Sequence, residues 1–290
     1  MARTLALGAR SRRSVAWLVA SCLALAGGAW GGRSDTEPAV GEFTVATYNV
    51  LHENRDVTNL VATIRQLHAD LVALQETNPQ SEKFLRRELA TEFSHMAFRG
   101  GEKASDGFGF LAKTPLRHLQ FLDPLPGWRG CWITEVTLGG TNVQVASVHL
   151  ATPRSPPLRS LAGLMTAAET VESLHAQEIV RIHQRLTRQG PVIVLGDFNS
   201  LSFFSAPRFL VERGFVDSLA SVTTNAEEHG TWPYLPREPG LRFRIDFIFH
   251  TPNLRTLECH VLPSWASDHA PVVSRLQGAG GRACPNPVSP

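Results

Sequence analysis

The chain has 290 residues, 43% hydrophobic and 19% charged, with a formal net charge of +2. That composition excludes a disordered chain and suits one large domain or two small ones with a substantial core. A charge so nearly balanced gives no argument for nucleic-acid binding from bulk field alone.

The first 33 residues stand apart. Arg3, Arg10, Arg12 and Arg13 precede a 12-residue apolar stretch, Val15 to Ala26, which exits through Gly27, Gly28 and Ala29. A basic start, a short apolar middle and a small-residue exit predict a secretory signal peptide, cleaved near Ala26. The mature protein is then expected to be exported and soluble, in a periplasm or outside the cell. Ser11-Arg12-Arg13-Ser14-Val15 resembles a twin-arginine signal, and Val19-Ala20-Ser21-Cys22 resembles a lipoprotein cleavage box. Against lipidation, the residues after Cys22 stay apolar; against a retained anchor, the apolar stretch is short. Without Cys22, three cysteines remain, and a Cys131–Cys259 disulfide is one pairing that an oxidising compartment allows. No Cys/His cluster has zinc-site spacing.

Residues 34–41 read as a polar linker, followed by a strand over 42–50 that runs into Asn49. Asp56 and Thr58 can cap a helix carrying Val57, Leu60, Val61, Ile64 and Leu67. A buried strand over 70–76 ends on Glu76, and a helix is predicted over 79–92. Strands follow at 108–112, 131–138 and 141–148, the last two joined by Gly139-Gly140, a two-residue hairpin signal, and the latter ending on His149. A Pro-rich loop, Thr152 to Pro157, precedes a long helix over about 159–188 that Gly190 and Pro191 stop. Pro191 to Leu195 is a β-branched run ending in Gly196-Asp197-Phe198-Asn199-Ser200, with an acid and an amide at alternate positions. The rest reads as a short helix over 206–213, strands at 214–219, 244–249 and 256–262, and Asp268-His269 before an apolar Pro271-Val272-Val273. Residues 42–276 form one α/β domain of largely antiparallel strands in two packed sheets with helices outside; 277–290 is a flexible tail.

The informative feature is where polar residues fall. Asn49, Glu76, His149, Asp197 with Asn199, and Asp268-His269 each stand where a strand is read to end, and Asp246 sits inside an apolar strand. A buried Asp needs a partner. Asn, Glu and Asp are hard oxygen donors, suited to Mg²⁺ or Mn²⁺ rather than zinc. Two histidines near carboxylates can serve as base, acid or phosphate donor. Together the set fits metal-assisted hydrolysis of a phosphoester.

Thr47-Tyr48-Asn49-Val50, Leu74-Gln75-Glu76, Val148-His149-Leu150, Gly196-Asp197-Phe198-Asn199, Arg244-Ile245-Asp246-Phe247 and Ser267-Asp268-His269-Ala270-Pro271-Val272 resemble, in this order, the motifs of the endonuclease/exonuclease/phosphatase superfamily. The resemblance spans about residues 42–276 and implies a four-layer α/β sandwich, two mostly antiparallel sheets flanked by helices, with the site at one rim. It implies Glu76 as principal metal ligand with Asn49 and Asp268 helping, and His269 as the catalytic histidine oriented by Asp246. Asp197 would handle the water or leaving group, Asn199 would hold a phosphate oxygen, and His149 fits a second phosphate-binding or acid position. Base and acid stay unassigned among His149, Asp197 and His269.

The family cleaves DNA, RNA, sphingomyelin and inositol phosphates with nearly one core. The resemblance therefore implies an exported Mg²⁺- or Mn²⁺-dependent phosphodiesterase, monomeric and without an obligate protein partner, acting on DNA or RNA. Its rivals are a phospholipid, sphingomyelin or phosphoinositide hydrolase at a membrane, and an inactive binding domain. Against the last, Glu76, Asp197 and His269 are all present. The Asn49 to Arg55 stretch and Gly230-Thr231-Trp232-Pro233 look most like a bacterial branch. Phe203, Phe204 and Trp265 could stack on a base or meet lipid, and Arg99, Lys103, Lys113, Arg129, Arg154 and Arg159 could bind phosphates.

Overall fold

The structure, a computed structural model, describes residues 40–123, 129–152, 161–187, 189–233, 240, 242–264 and 266–279. The expected signal peptide, Arg154, Arg159, Trp265, Cys22, Cys284 and most of the Pro-rich loop and the tail lie outside these.

The first half of the chain gives β1 (Phe43–Asn49), α1 (Val57–Gln66), β2 (Leu71–Gln75), α2 (Pro79–Glu88), β3 (His95–Arg99), β4 (Phe108–Ala112), β5 (Leu116–Leu122), β6 (Cys131–Leu138) and β7 (Thr141–His149). The second half gives α3 (Leu161–His183), β8 (Val192–Asp197), α4 (Ser205–Glu212), β9 (Val216–Asp217), β10 (Asp246–His250), β11 (Leu254–Val261) and β12 (Val272–Gly278). They build two six-stranded sheets, ordered β11-β12-β1-β2-β4-β3 and β5-β6-β7-β8-β10-β9. Only the pairs β1–β2 and β7–β8 are parallel among the described ladders. This is the four-layer sandwich.

Three apolar clusters hold the layers. Phe43, Val45, Leu71, Ala73, Val143, Val145, Ile193, Leu195 and Ile248 fill the space between the sheets. Leu60, Ile64 and Leu85 seat α1 and α2 on one sheet, and Ile179, Ile182 and Leu210 seat α3 and α4 on the other. Side chains alternate along a strand, so the inward parity of each central strand can be followed to its end. Phe43 and Val45 lead to Thr47 and Asn49; Leu71 and Ala73 lead to Gln75; Val143 and Val145 lead to Ser147 and His149; Ile193 and Leu195 lead to Asp197. The core therefore turns polar layer by layer. Thr47 Oγ1 donates to Gln75 Oε1 at 3.2 Å and Gln75 Nε2 to Ser147 Oγ at 3.1 Å, closing a fully buried polar layer between the apolar core and the strand ends.

Several expectations change. The helix predicted over 79–92 ends at Glu88, whose carbonyl takes a hydrogen bond from Arg65 at 2.8 Å. The strand predicted over 214–219 shortens to Val216–Asp217. The strands β3 and β5 were not legible, because both are sheet edges whose side chains are mostly half-exposed or exposed and carry no clean alternation. Asp246 begins its strand rather than sitting within it, and Asp268-His269 lie in the loop before β12, not at a strand end. Cys131 and Cys259 are both free and buried, so the candidate disulfide does not form.

Candidate functional site

Register assembles the site. In the second sheet His149 pairs with Asp197, and Asp197 with Asp246, so three cross-strand neighbours of one parity point together into the space between the sheets. In the first sheet Asn49 pairs with Gln75, which puts Glu76 one residue past the end of β2. Asn49 then joins the sheets: its Nδ2 donates to Asp197 Oδ2 at 3.0 Å and to Glu76 Oε1 at 3.4 Å. Its oxygen accepts from Leu51 N–H at 3.0 Å, so Asn49 presents its amide hydrogens, not the expected oxygen, to the carboxylates.

Backbone strain gathers here. Leu51, Glu76 and Asn199 have positive φ (57, 60 and 47°), three of the four such non-glycine residues described. Asp197 Oδ1 accepts from Asn199 N–H at 2.8 Å, an Asx turn that folds Asn199 back so that its Nδ2 bonds Leu150 O at 3.2 Å. The alternate acid and amide therefore do not point the same way.

His269 is sandwiched between carboxylates. Its Nδ1 bonds Asp246 Oδ2 at 2.9 Å and its Nε2 faces Asp197 Oδ2 at 3.8 Å. Burial disfavours a charged ring, but Asp246 and Asp197 outweigh it and move the His269 pKa upward, which keeps an imidazolium at neutral pH. Burial pushes the Asp197 pKa upward; His269 opposes that shift and Asp246 adds to it. Ligand atoms of Asp197, Asp246 and His269 lie within 4.8 Å of one another, but both ring nitrogens face carboxylates, so the trio holds protons more readily than a cation.

Glu76 is the second focus. Arg129 Nη1 donates to its Oε1 at 2.8 Å, and His52 reaches its Oε2 with both backbone N–H and Nδ1. Burial would raise the Glu76 pKa, yet the hydrogen bonds from His52 and the Arg129 guanidinium hold it below its ordinary value. His149 itself is neutral: burial lowers it to about 3, with Arg129 adding to the shift, and both ring nitrogens lack hydrogen-bond partners. Its Nε2 stands 3.4 Å from Asp197 Oδ2 and 3.8 Å from Glu76 Oε1. A histidine whose folded pKa is depressed contributes stability that is whole above about 6.5 and is lost as pH falls toward 3. Asp197, with its pKa raised, has the opposite slope over the same window, so the His149 part is read as a difference: the urea stability of wild type minus that of His149→Gln is expected to fall as pH drops from about 6.5 to about 4.5, by at most about 1.4 kcal/mol per pH unit.

Asp268 stands at the rim, its Oδ2 accepting from Trp232 Nε1 at 3.0 Å and its buried Oδ1 without a partner. An ionised Glu76 and an unpartnered Asp268 oxygen are hard donors that fit Mg²⁺ or Mn²⁺.

The family model described as endonuclease/exonuclease/phosphatase matches residues 46–269, which contain every residue of this site. The chain belongs to the endonuclease/exonuclease/phosphatase family. Solved structures agree on the fold. An endonuclease/exonuclease/phosphatase from Beutenbergia cavernae is 20% identical with a TM-score of 0.66, over 84% of this chain and 73% of that one. TDP2 from D. rerio, solved with a single-strand DNA product, is 17% identical with a TM-score of 0.59, over 81% and 98%. An AP endonuclease from Archaeoglobus fulgidus is 18% identical with a TM-score of 0.59, over 80% and 98%. No curated protein matches the sequence.

Within the endonuclease/exonuclease/phosphatase frame, sequence reasoning missed the supports. His52 reaches Glu76 across 24 residues, which no local pattern announces, and Arg129, expected among the phosphate-binding cations, pairs with Glu76 from 53 residues away instead. Thr231 Oγ1 accepts from Ile245 and Asp246 N–H at 3.1 and 3.2 Å, while Thr231 O accepts from Ala270 N–H at 2.8 Å. The Gly230-to-Pro233 stretch thus ties the Asp246 and His269 segments together. Arg244, nearly buried, pairs with Asp217 and Glu227 at 2.8 and 2.7 Å behind Asp246. Other basic candidates are engaged elsewhere: Lys113 pairs with Asp70 at 2.9 Å, and Arg99 stacks on Phe121 at 3.9 Å.

Proposed function

We propose that this protein is an exported, Mg²⁺- or Mn²⁺-dependent phosphodiesterase acting on nucleic acid. The observation that carries the reading is the buried His269–Asp246 pair aimed at Asp197, with Glu76 tied to the same Asp197 by Asn49. Glu76 and Asp268 would hold the cation, which when bound would polarise the phosphoryl oxygens and steady the leaving group.

The chain's own groups then divide the work. His269, kept protonated and oriented by Asp246, donates from Nε2 to a phosphoryl oxygen. Asp197, its carboxyl pKa raised by burial, takes or returns the proton of water or leaving group. Asn49 fixes the Asp197 carboxylate, and neutral His149 offers a hydrogen bond beside it.

Nucleic acid is favoured as substrate by the DNA-directed relatives of the same fold. Export is supported by the basic start and 12-residue apolar stretch of the first 33 residues. One observation favours lipid instead: Phe203, close behind the Asp197 turn, is 62% exposed. Plasmid DNA, RNA and sphingomyelin vesicles, each with Mg²⁺ or EDTA, separate the readings. Metal-dependent cleavage of DNA or RNA is expected; turnover of sphingomyelin alone would replace the nucleic-acid reading with the lipid one.

A further inference from the structure

The inward stripe of α3 runs His175, Glu178, Ile179 and Ile182, the i, i+3, i+4, i+7 spacing of a buried helix face, and all four are fully buried. The two isoleucines pack into the outer core. The two polar residues grip a single backbone unit. Glu178 Oε2 accepts from Ala151 N–H at 3.1 Å, and His175 Nε2 donates to Ala151 O at 2.7 Å. Ala151 lies two residues beyond His149, past the end of β7, so side chains take the place of a ladder partner.

The grip leads straight to the site. Leu150, next to Ala151, donates to Asp197 O at 3.0 Å and accepts from Asn199 Nδ2 at 3.2 Å. One turn earlier on α3, Glu172 Oε2 accepts from Ser205 N–H at 2.8 Å and Glu172 O accepts from Ser205 Oγ at 3.0 Å, which fastens the far end of the Asp197 loop to the same helix. Holding Ala151 costs the pair some pairing of its own: Glu178 Oε1 is buried without a hydrogen-bond partner, and His175 Nδ1, also unbonded, stands 3.8 Å from Glu172 Oε1. Burial pushes the Glu178 carboxyl up to about 8, so it meets Ala151 as the neutral acid.

We propose that His175 and Glu178 are positioning residues that fix Ala151 and, through Leu150, hold His149, Asp197 and Asn199 at their working separation. The kinetic part of this inference rests on the phosphodiesterase reading; the structural part does not.

Glu178→Met fills nearly the same space without an acceptor, and Glu178→Gln keeps an oxygen for the Ala151 N–H. Hydrogen exchange by mass spectrometry is read on the full chain, with kcat, KM and Tm alongside. Glu178→Met leaves the buried Ala151 N–H without an acceptor, so it is expected to lower Tm by a few degrees, to raise exchange about tenfold across residues 147–152 and 197–200 above any rise in the rest of the chain, and to lose about 10- to 100-fold in kcat at unchanged KM. Glu178→Gln is expected to restore both exchange and kcat. Wild-type exchange in those two segments of Glu178→Met would overturn the proposal, as would a Glu178→Gln as impaired as Glu178→Met. Should Glu178→Met not fold, His175→Gln against His175→Leu makes the same comparison from the donor side. Exchange decides even without turnover: an inactive wild type counts against the phosphodiesterase, whereas unaltered exchange counts against the positioning pair.

Discussion

His269→Ala is expected to lower kcat by about 10³-fold while leaving KM within about threefold. The ring is held between two carboxylates, 2.9 Å from Asp246 and 3.8 Å from Asp197, and both raise its pKa. A cation prepared in this way stabilises charge that grows on the phosphoryl group in the transition state, more than the ground-state substrate, so kcat carries the loss. Asp246 bonds His269 directly and reaches Asp197 only by its charge, so it would act on the reaction through those two groups. Asp246→Asn is therefore expected to cost less, about 10- to 100-fold. Steady-state kinetics of the two variants on one substrate checks the order; a larger loss at Asp246 would contradict it.

Gly196→Ala has the second large effect, on folding and turnover together. Gly196 stands between Val148 and Phe247 in the ladder, one residue before Asp197, with φ at +141°. A Cβ there would meet the Val148 carbonyl oxygen at 2.0 Å, and that oxygen belongs to the strand that carries His149. The strands must part, or the backbone must leave a conformation that an L side chain rarely adopts. A loss of about 3 kcal/mol or more is expected in urea unfolding. In the fraction that folds, a shift of about 1 Å between His149 and Asp197 should cost about 10²-fold in kcat. Unchanged stability would show that the β7–β8 pair yields easily at its end.

What the sequence disclosed follows the range of the interactions. Parity along a strand is local, so the inward sets ending on Asn49, His149 and Asp197 could be read directly, and with them most of the site. Asp246 stood out because an acid beside Phe247, Ile248 and Phe249 needs a partner, and His269 is that partner. Gln75 was legible only as a strand residue; its place in the Thr47–Gln75–Ser147 layer depends on two sheets meeting. His52 and Thr231 likewise act on residues far along the chain and look like ordinary loop residues in the sequence, whereas Arg129 stands out there as a cation but not as the partner of Glu76. His175 and Glu178 were hidden for the opposite reason. Their spacing suits any helix, and only the burial of that face distinguishes them from solvated positions.

On the phosphodiesterase reading, Glu76 anchors the cation on which hydrolysis depends. The most direct measurement is the hydrolysis of bis-p-nitrophenyl phosphate by wild type and Glu76→Gln, each with Mg²⁺ and with EDTA. The expected result is turnover by the wild type with Mg²⁺, abolished by EDTA and lowered at least about 10²-fold in Glu76→Gln. Equal turnover in EDTA, or a Glu76→Gln as fast as wild type, would contradict the account.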